Sequence, residues 1–307
     1  MLNIALQQIW NAIMLGTIYS LVAIGFTLFF GVLNLINFAY AEVVMVGAFG
    51  GLVAITALTA IKMDGSTIIF ILPLILIFSA IISVAVGLAT ERIAVRPLRS
   101  SPPLMALLST IGVSIFLREA VRVFYPRGAS PHPFPRLLSH GGIQIGLLNI
   151  SYTDLFIVVV GGLMFLVLNT FISKTRMGRS IRATAQNREG ALMMGVDIEV
   201  MYIATFVIGS LLGAVGGTLF GMFYHIIRFD IGIILGVKGF ACSVIGGFGN
   251  IYGAILGSFL IGALEVFAAG YVPRGAEYKD IVAFAVVILF LVFRPSGILG
   301  EPVYEKV

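Results

Sequence analysis

The sequence predicts an all-α polytopic membrane protein with about eight transmembrane helices, one or two of them broken or re-entrant. Hydrophobic residues make up 59% of the 307 residues, charged residues make up 11%, and the mean hydropathy is +1.09. Soluble domains are roughly half apolar and about a quarter charged. Because a span needs roughly 20 apolar residues, about eight spans and short loops use up the chain. We therefore expect a single transmembrane domain over 1–307.

Long apolar runs separated by polar or Pro-rich segments place these spans. The predicted spans are 8–30, 41–61, 68–91, 103–124, 152–172, 198–223, a broken pair at 237–270, and 279–293. Two of these regions carry glycines every four residues, which places the glycines on one helix face and predicts close helix packing. The two sets are Gly209, Gly213, Gly217 and Gly221, and Gly249, Gly253 and Gly257.

Two short basic segments predict the orientation. The loop 92–101 holds Arg92, Arg96 and Arg99, and the segment 174–197 holds five Lys or Arg residues. The positive-inside rule places both segments in the cytoplasm. They can share a side only if 103–124 crosses the membrane, so we predict that it does, with the N-terminus outside and the C-terminal tail inside.

Two segments interrupt the apolar helical pattern at membrane depth, namely 30–42 and 236–253. Non-helical backbone at that depth is tolerated where protein or a water-filled cavity covers it, and transporters place their binding and gating elements at such breaks. We therefore predict that the translocation path is lined by polar, aromatic and glycine residues of the two segments: Asn34, Asn37, Glu42, Lys238, Phe240, Gly246 and Gly247.

Charged residues within spans usually face the bundle interior and have partners. Two interpretations of Lys238 stay open. In the first it faces the bundle interior, where it pairs with a carboxylate or lines the route taken by the charged groups of the substrate; in the second it extends to the outer surface. Glu265 lies near a helix end, which favours a structural ion pair. His225, Arg228 and Asp230 fall in an outer turn, where a solvated loop is the default interpretation and contact with an external partner is the alternative.

Several functional classes lack support in the sequence. There is no G-x-x-x-x-G-K nucleotide loop and no H-E-x-x-H zinc pair, and the three histidines do not have metal-ligand spacing, so we expect no metal site. The single cysteine rules out an internal disulfide. The net charge of +5 is modest and no basic face suggests nucleic-acid binding. An intramembrane enzyme would need a nucleophile and base pair, which is not recognisable here.

The segment 174–197 is predicted to contain a short docking helix. Asn187 can cap the start of this helix, Glu189 suits its first turn, and Gly195 suits the position after its end. A helix of about seven residues is unstable alone in water, so its stability must come from packing against this bundle or a partner.

The arrangement Glu189-Gly190-Ala191 followed by Gly195 resembles the E-A-A-x-x-x-G loop by which permease subunits of bacterial ABC importers dock into their ATPase subunits. Gly190 departs from the pattern, which has alanine there. The segment 175–197 resembles the corresponding loop of the Liv-type branched-chain amino acid permeases. The segments 18–49, 238–265 and 293–301 resemble that family too, and the likeness is closer to its H-type than to its M-type subunit.

This resemblance implies a subunit of the bacterial cytoplasmic membrane that imports branched-chain or related hydrophobic amino acids. It implies a second, M-type permease subunit, two ATPase subunits and an external substrate-binding protein as partners, with ATP and Mg on the ATPase subunits and no cofactor on this chain. ATP binding would close the ATPase pair, and residues 177–196 would pass the motion to the bundle. The implied coupling residues are Arg182, Asn187, Glu189, Gly190, Ala191 and Gly195.

Two alternatives stay open. Related permeases carry urea, short amides or other amino acids, and selection is expected chiefly from the external binding protein. A secondary transporter or channel driven by an ion gradient would also need a polytopic bundle, although the sequence offers few carboxylates or histidines for a proton relay.

Overall fold

The computed structural model describes residues 2–59, 68–99, 101–138, 141–145 and 148–300. Helices dominate these residues, with four short strands and two short irregular helices. The helices are α1 (Leu2–Leu33), α2 (Ala39–Thr59), α3 (Ile68–Thr90), α4 (Pro103–Phe124), α5 (Tyr152–Lys174), α6 (Arg176–Gln186), α7 (Arg188–Met193), α8 (Ile198–Tyr224), α9 (Ile231–Gly246), α10 (Ile251–Tyr271) and α11 (Gly275–Phe293). The strands are β1 (His132–Pro133), β2 (Gly142–Ile145), β3 (Leu148–Ser151) and β4 (Ile226–Ile227). A π-helix (Glu91–Val95) and a 3₁₀ turn (Arg96–Leu98) follow α3.

Seven of the described helices are long and apolar enough to cross a membrane: α1 to α5, α8 and α10. Helix α11 has 19 residues but carries Glu277, Lys279 and Asp280 near its start. Helix α9 has 16 residues, a length of about 24 Å that falls short of the roughly 30 Å hydrocarbon core. The all-α polytopic fold is thus confirmed, and the predicted broken pair consists of a short helix, a turn at 247–250 and a full-length helix.

Helix α1 lies at the centre of the bundle, where it packs against α5, α8, α9 and α10. Its side chains from Ile18 to Ile24 are almost completely buried. The outer helices α3, α4 and α5 expose apolar side chains such as Ile81, Phe116 and Leu163. Because lipid tails solvate apolar surface, this arrangement suits a bundle surrounded by a bilayer.

One end of the bundle, which we call the basic face, carries both basic segments. A 2.7 Å contact between Arg96 and Glu199 joins the turn after α3 to the start of α8, directly after the segment 174–197. The two basic segments therefore lie on the same side, as predicted, and α4 crosses between them and the opposite face. At the opposite face β1 pairs with β4, which brings the Pro-rich segment after α4 against the turn after α8.

The glycine repeats pack where helices approach closely. Added side chains at Gly213 and Gly217 would collide with Val44 of α2, and one at Gly257 would collide with the carbonyl of Cys242 in α9. The prediction for Gly249 was wrong, because this residue lies in the turn before α10 with φ +87°. A turn residue with positive φ favours glycine for its backbone conformation and not for helix packing.

Candidate functional site

Two short helices project at the basic face, and Asn187 lies at the junction between them. The residue ends α6, and its side-chain Oδ1 accepts a 2.9 Å hydrogen bond from the Gly190 amide in the first turn of α7. Glu189 occupies that first turn, where a carboxylate interacts favourably with the positive end of the helix dipole. The predicted cap at the start of the short helix is therefore confirmed.

The end of α7 is closed by a Schellman motif. Gly195 adopts φ +79°, its amide donates to the Leu192 carbonyl at 3.0 Å, and the Val196 amide donates to the Ala191 carbonyl at 3.0 Å. The glycine occupies the position that the sequence predicted, although the helix has six residues and not seven. Such a short helix depends on packing for its stability.

Helix α7 has one packed side and one exposed side. Ala191 is 4% exposed and packs with Ile181, Ile198 and Tyr202 of the neighbouring helices. Leu192, Met193 and Met194 are instead 52%, 87% and 85% exposed. Three adjacent large apolar side chains are therefore exposed at the tip of a loop on the basic face. Arg182 and Glu189 are exposed beside this tip, which we call the α7 knob (residues 189–194).

Tyr202, which the sequence analysis did not single out, connects the knob to the bundle. The guanidinium carbon of Arg188 lies 5.5 Å from the centre of the Tyr202 ring, and that of Arg99 lies 4.6 Å from it. Arg99 is also paired with Glu91 in the π-helix and, at 3.7 Å, with Glu199. These contacts tie α7, the first turns of α8 and the segment 91–99 to one another.

The two segments that interrupt the helical pattern, 30–42 and 236–253, contact each other close to the basic face. Four phenylalanine rings connect them: Phe30 and Phe248 lie 4.5 Å apart, Phe240 and Phe248 lie 5.4 Å apart, and Phe38 and Phe240 lie 6.2 Å apart. Gly247 has φ +100° and receives the backbone of Gly300 against it. An added side chain at Gly246 would collide with the Gly253 carbonyl, so glycine is required where α9 and α10 cross.

The polar residues predicted around the first break occupy different surroundings. Asn34 lies in the break, exposed and left-handed with φ +52°. Asn37 is 1% exposed, and its Oδ1 has no hydrogen-bond partner in the described part of the chain. Glu42 lies within α2, fully buried, with one carboxylate oxygen 3.4 Å from the Ser114 hydroxyl of α4. Gly232 of α9 faces that carboxylate.

Lys238 is buried and paired, so the interpretation that it extends to the surface is wrong. Its Nζ lies 2.8 Å from both Glu265 and Asp280, and it donates to the Tyr19 hydroxyl at 3.0 Å. Lys279 contacts the other oxygen of Glu265 at 2.9 Å. The predicted ion pair of Glu265 is confirmed, and two cations balance two carboxylates where α9, α10 and α11 meet. The predicted contact of Lys238 with a substrate stays a prediction.

A cavity of about 580 Å³ opens beside the α7 knob. It is bordered by the first break, residues 95–99 and 101–103, the junction of α6 and α7, and the turn at Phe248 and Gly249. The predicted coupling segment and both predicted breaks therefore adjoin one space, although Glu42 and Lys238 lie outside it.

Comparisons with known proteins agree with this architecture. Residues 8–291 match the family described as the permease component of the branched-chain amino acid transport system. The chain is 40% identical over 304 residues to the high-affinity branched-chain amino acid transport system permease protein BraD of Pseudomonas aeruginosa, covering 98% of each chain. It is 39% identical over 306 residues to the permease protein LivH of Salmonella typhimurium, covering 98% of this chain and 97% of that one.

A solved structure shares the fold. This is PsaBC from Streptococcus pneumoniae in complex with Fab, which matches 95% of this chain and 92% of that chain with a TM-score of 0.50 and 11% identity. The membrane fold, the extent of the family match and the identity to BraD and LivH lead to one conclusion: this chain belongs to the family of permease components of branched-chain amino acid transport systems.

Proposed function

We propose that this permease, a multi-pass protein of the inner membrane, imports branched-chain or related hydrophobic amino acids and is driven through its α7 knob by separate ATPase subunits. The observation that carries the proposal is the contrast between the packed side and the exposed side of α7. One side packs on Ile198 and Tyr202, while Leu192, Met193 and Met194 project from the bundle with nothing in the described chain to cover them. An ATPase subunit with an apolar groove would bury these three side chains.

The proposed coupling is mechanical. When ATP binding closes two ATPase subunits, the knob moves with the groove that holds it. Asn187 and Gly195 fix both ends of α7, so the helix moves as a unit, with Glu189 and Arg182 positioned to make polar contacts at the rim of the groove. The motion reaches the breaks through Tyr202 and through the packed side of α7. ATP and Mg belong to the ATPase subunits in this scheme.

We further propose that the two breaks line the translocation path. Asn34, Asn37, Glu42, Phe240, Gly246 and Gly247 border or flank them, and turns of this kind suit a path because they can change conformation without unfolding a spanning helix. Lys238 holds α9 against α10 and α11 through its contacts with Glu265 and Asp280. A second, M-type permease subunit would supply the other wall, and an external binding protein would deliver the substrate.

The relatives' names favour branched-chain amino acids as the cargo. The apolar and aromatic residues around the breaks suit an aliphatic side chain. Urea, short amides and other amino acids are the competing cargoes, and a binding assay on the matching external binding protein would discriminate among them.

Glu189→Arg tests the coupling proposal. In proteoliposomes that contain the assembled transporter, we expect ATP-dependent leucine uptake to be lost while the amount of the chain in the membrane stays unchanged. The matched control is Glu277→Arg, which reverses an exposed carboxylate at the opposite face, and it should retain uptake. Unchanged uptake by Glu189→Arg would refute docking through the knob. Uptake by the purified chain without any ATPase would instead support an ion-driven transporter or a channel.

A further inference from the structure

The cavity beside the α7 knob has the properties of a small-molecule site. Its volume of about 580 Å³ lies within the roughly 300–1,000 Å³ of ligand pockets in proteins. It opens at the basic face, on the same side as the docking surface. Its walls come from segments that are far apart in sequence, among them the first residue of α7 and the end of α1. A ligand in the cavity would contact both and so hold α7 against the end of α1.

One wall of the cavity is cationic. Arg188 lines it, and this side chain has no ion-pair partner in the described residues, although its guanidinium stacks on Tyr202. Arg99 lines it too; this side chain is paired with Glu91 and Glu199, but its Nε is buried without a hydrogen-bond acceptor in the described chain. A guanidinium presents several donors in a fork that matches a carboxylate, so this wall suits a carboxylate ligand.

The C-terminal end of α1 also lines the cavity, and it carries a partial negative charge. The carbonyls of Gly31, Val32 and Leu33 accept no backbone hydrogen bond in the described chain, because α1 ends at Leu33 and the chain turns away at Asn34. Unpaired carbonyls at a helix C-terminus amount to a partial negative charge. This wall therefore suits an ammonium group.

Apolar side chains make up much of the remaining lining. These are Leu35, Val95, Leu98, Ala106 and Phe248. A ligand that satisfies all three features carries a carboxylate, an ammonium group and an aliphatic side chain.

We propose that this cavity binds an apolar α-amino acid from the cytosolic side, with its carboxylate on Arg188 and Arg99, its ammonium group at the α1 carbonyls and its side chain against Leu98 and Ala106. This regulatory site rests on the proposed function, because the imported amino acid itself fills the cavity. Bound ligand connects Arg188 of α7 to the end of α1, so it restrains the knob and slows uptake when the cytosolic concentration is high.

Equilibrium binding to the purified full-length chain tests the site without requiring transport. Tritiated leucine should bind saturably in detergent, and unlabelled leucine should displace it at least tenfold better than 4-methylpentanoate, which lacks the ammonium group, or leucinamide, which lacks the carboxylate. Absence of saturable binding would overturn the proposal. Equal displacement by 4-methylpentanoate would also overturn it, since the α1 carbonyls would then play no part.

Two variants locate the site. Arg188→Gln removes the cation, and Ala106→Phe fills the space from α4; each should weaken leucine binding at least tenfold. The matched controls are Arg179→Gln, an exposed arginine of α6 outside the cavity, and Gly112→Phe on α4, where an added side chain meets open space. If the controls weaken binding as much as the variants do, the leucine site lies elsewhere and the proposal fails.

Uptake separates this inference from the proposed function. Proteoliposomes are loaded with ATP, MgCl₂ and either buffer or unlabelled leucine, and each variant is normalised to its own uptake with buffer inside. Lumenal leucine should reduce initial uptake several-fold in the unmodified transporter and much less in Ala106→Phe. Normal uptake that ignores lumenal leucine would sink the regulatory inference while leaving the import proposal intact, whereas absence of uptake under all conditions would count against the import proposal.

Discussion

The ring of Tyr202 lies 4.6 Å from the guanidinium carbon of Arg99, and this contact joins α8 to the segment that follows α3. Arg188 of α7 approaches the same ring from 5.5 Å. The segment 91–99 begins with a π-helix, a conformation that is rare and frequently found at functional sites. We infer that Tyr202 passes movement of the α7 knob to this segment as well as to α8.

Replacing Tyr202 tests this transmission. Tyr202→Leu removes both cation–π contacts, worth about 0.5–2 kcal/mol each depending on exposure, and should lower leucine transported per ATP hydrolysed several-fold. Tyr202→Phe keeps the ring and should stay near the unmodified ratio. The measurement is the ratio of uptake to ATP hydrolysis in proteoliposomes. An equal ratio in the two variants would show that the ring does not transmit the motion.

The sequence predicted the ends of α7 but not its connection to the bundle. Helix caps are local, since Asn187 bonds an amide three residues away, so residue types and spacing were enough. Arg99 and Tyr202 are separated by about 100 residues, and no periodicity or spacing relates them. Likewise the exposed apolar side chains Leu192, Met193 and Met194 could not be told from buried ones before the packed side of α7 was known.

The two glycines of the knob should respond differently to alanine. Gly195 has φ +79°, a conformation that costs an L-residue about 1–2 kcal/mol, so Gly195→Ala should loosen the end of α7 and reduce ATP-dependent uptake. Gly190 lies inside the helix, where an added methyl would meet the Asn187 side chain at 3.3 Å. The family pattern has alanine there, and alanine favours a helix over glycine by roughly 0.5–1 kcal/mol. Gly190→Ala should therefore retain uptake, and a loss equal to that of Gly195→Ala would contradict this account.

Charge balance should decide the stability of the buried ionic network. Lys238→Met leaves the carboxylates of Glu265 and Asp280 with one cation, and removing one partner of a buried pair is strongly destabilising, by about 3–5 kcal/mol. Adding Asp280→Asn restores the balance through the remaining contact of Glu265 with Lys279. We expect the double variant to unfold at a higher temperature in detergent than Lys238→Met alone.

The control for this series is an exposed pair. Arg228→Met breaks the contact of Arg228 with Asp230 at the surface, and surface pairs contribute about 0–1 kcal/mol. A melting temperature of Lys238→Met equal to that of Arg228→Met would refute a stabilising role for the network.

The buried network also shows where sequence reasoning stopped. The expectation that a charge within a span has a partner correctly pointed to Lys238 and Glu265. Tyr19 lies 219 positions from Lys238, and Asp280 lies at the start of the predicted span 279–293, where no partner was predicted for it. Both were missed because bundle topology, and not local pattern, brings them to the lysine.

The crossing of α9 and α10 should tolerate no added side chain. At Gly246 a methyl group would meet the Gly253 carbonyl, and at Gly253 it would meet the Gly246 carbonyl, so backbone and not a flexible side chain blocks each position. Overpacking of this kind costs about 1–3 kcal/mol, and the helices must separate to relieve it, which moves the turn at 247–250 and the break it contacts. Gly246→Ala should therefore lower both the melting temperature and the uptake rate. Adding Gly253→Ala should lower the melting temperature by less than the first substitution did, since the helices are already apart.

The control is Gly112→Ala, where the added methyl meets open space on α4. This variant should raise the melting temperature slightly because alanine stabilises a helix. Equal melting temperatures for Gly246→Ala and Gly112→Ala would mean that α9 and α10 do not touch at these glycines.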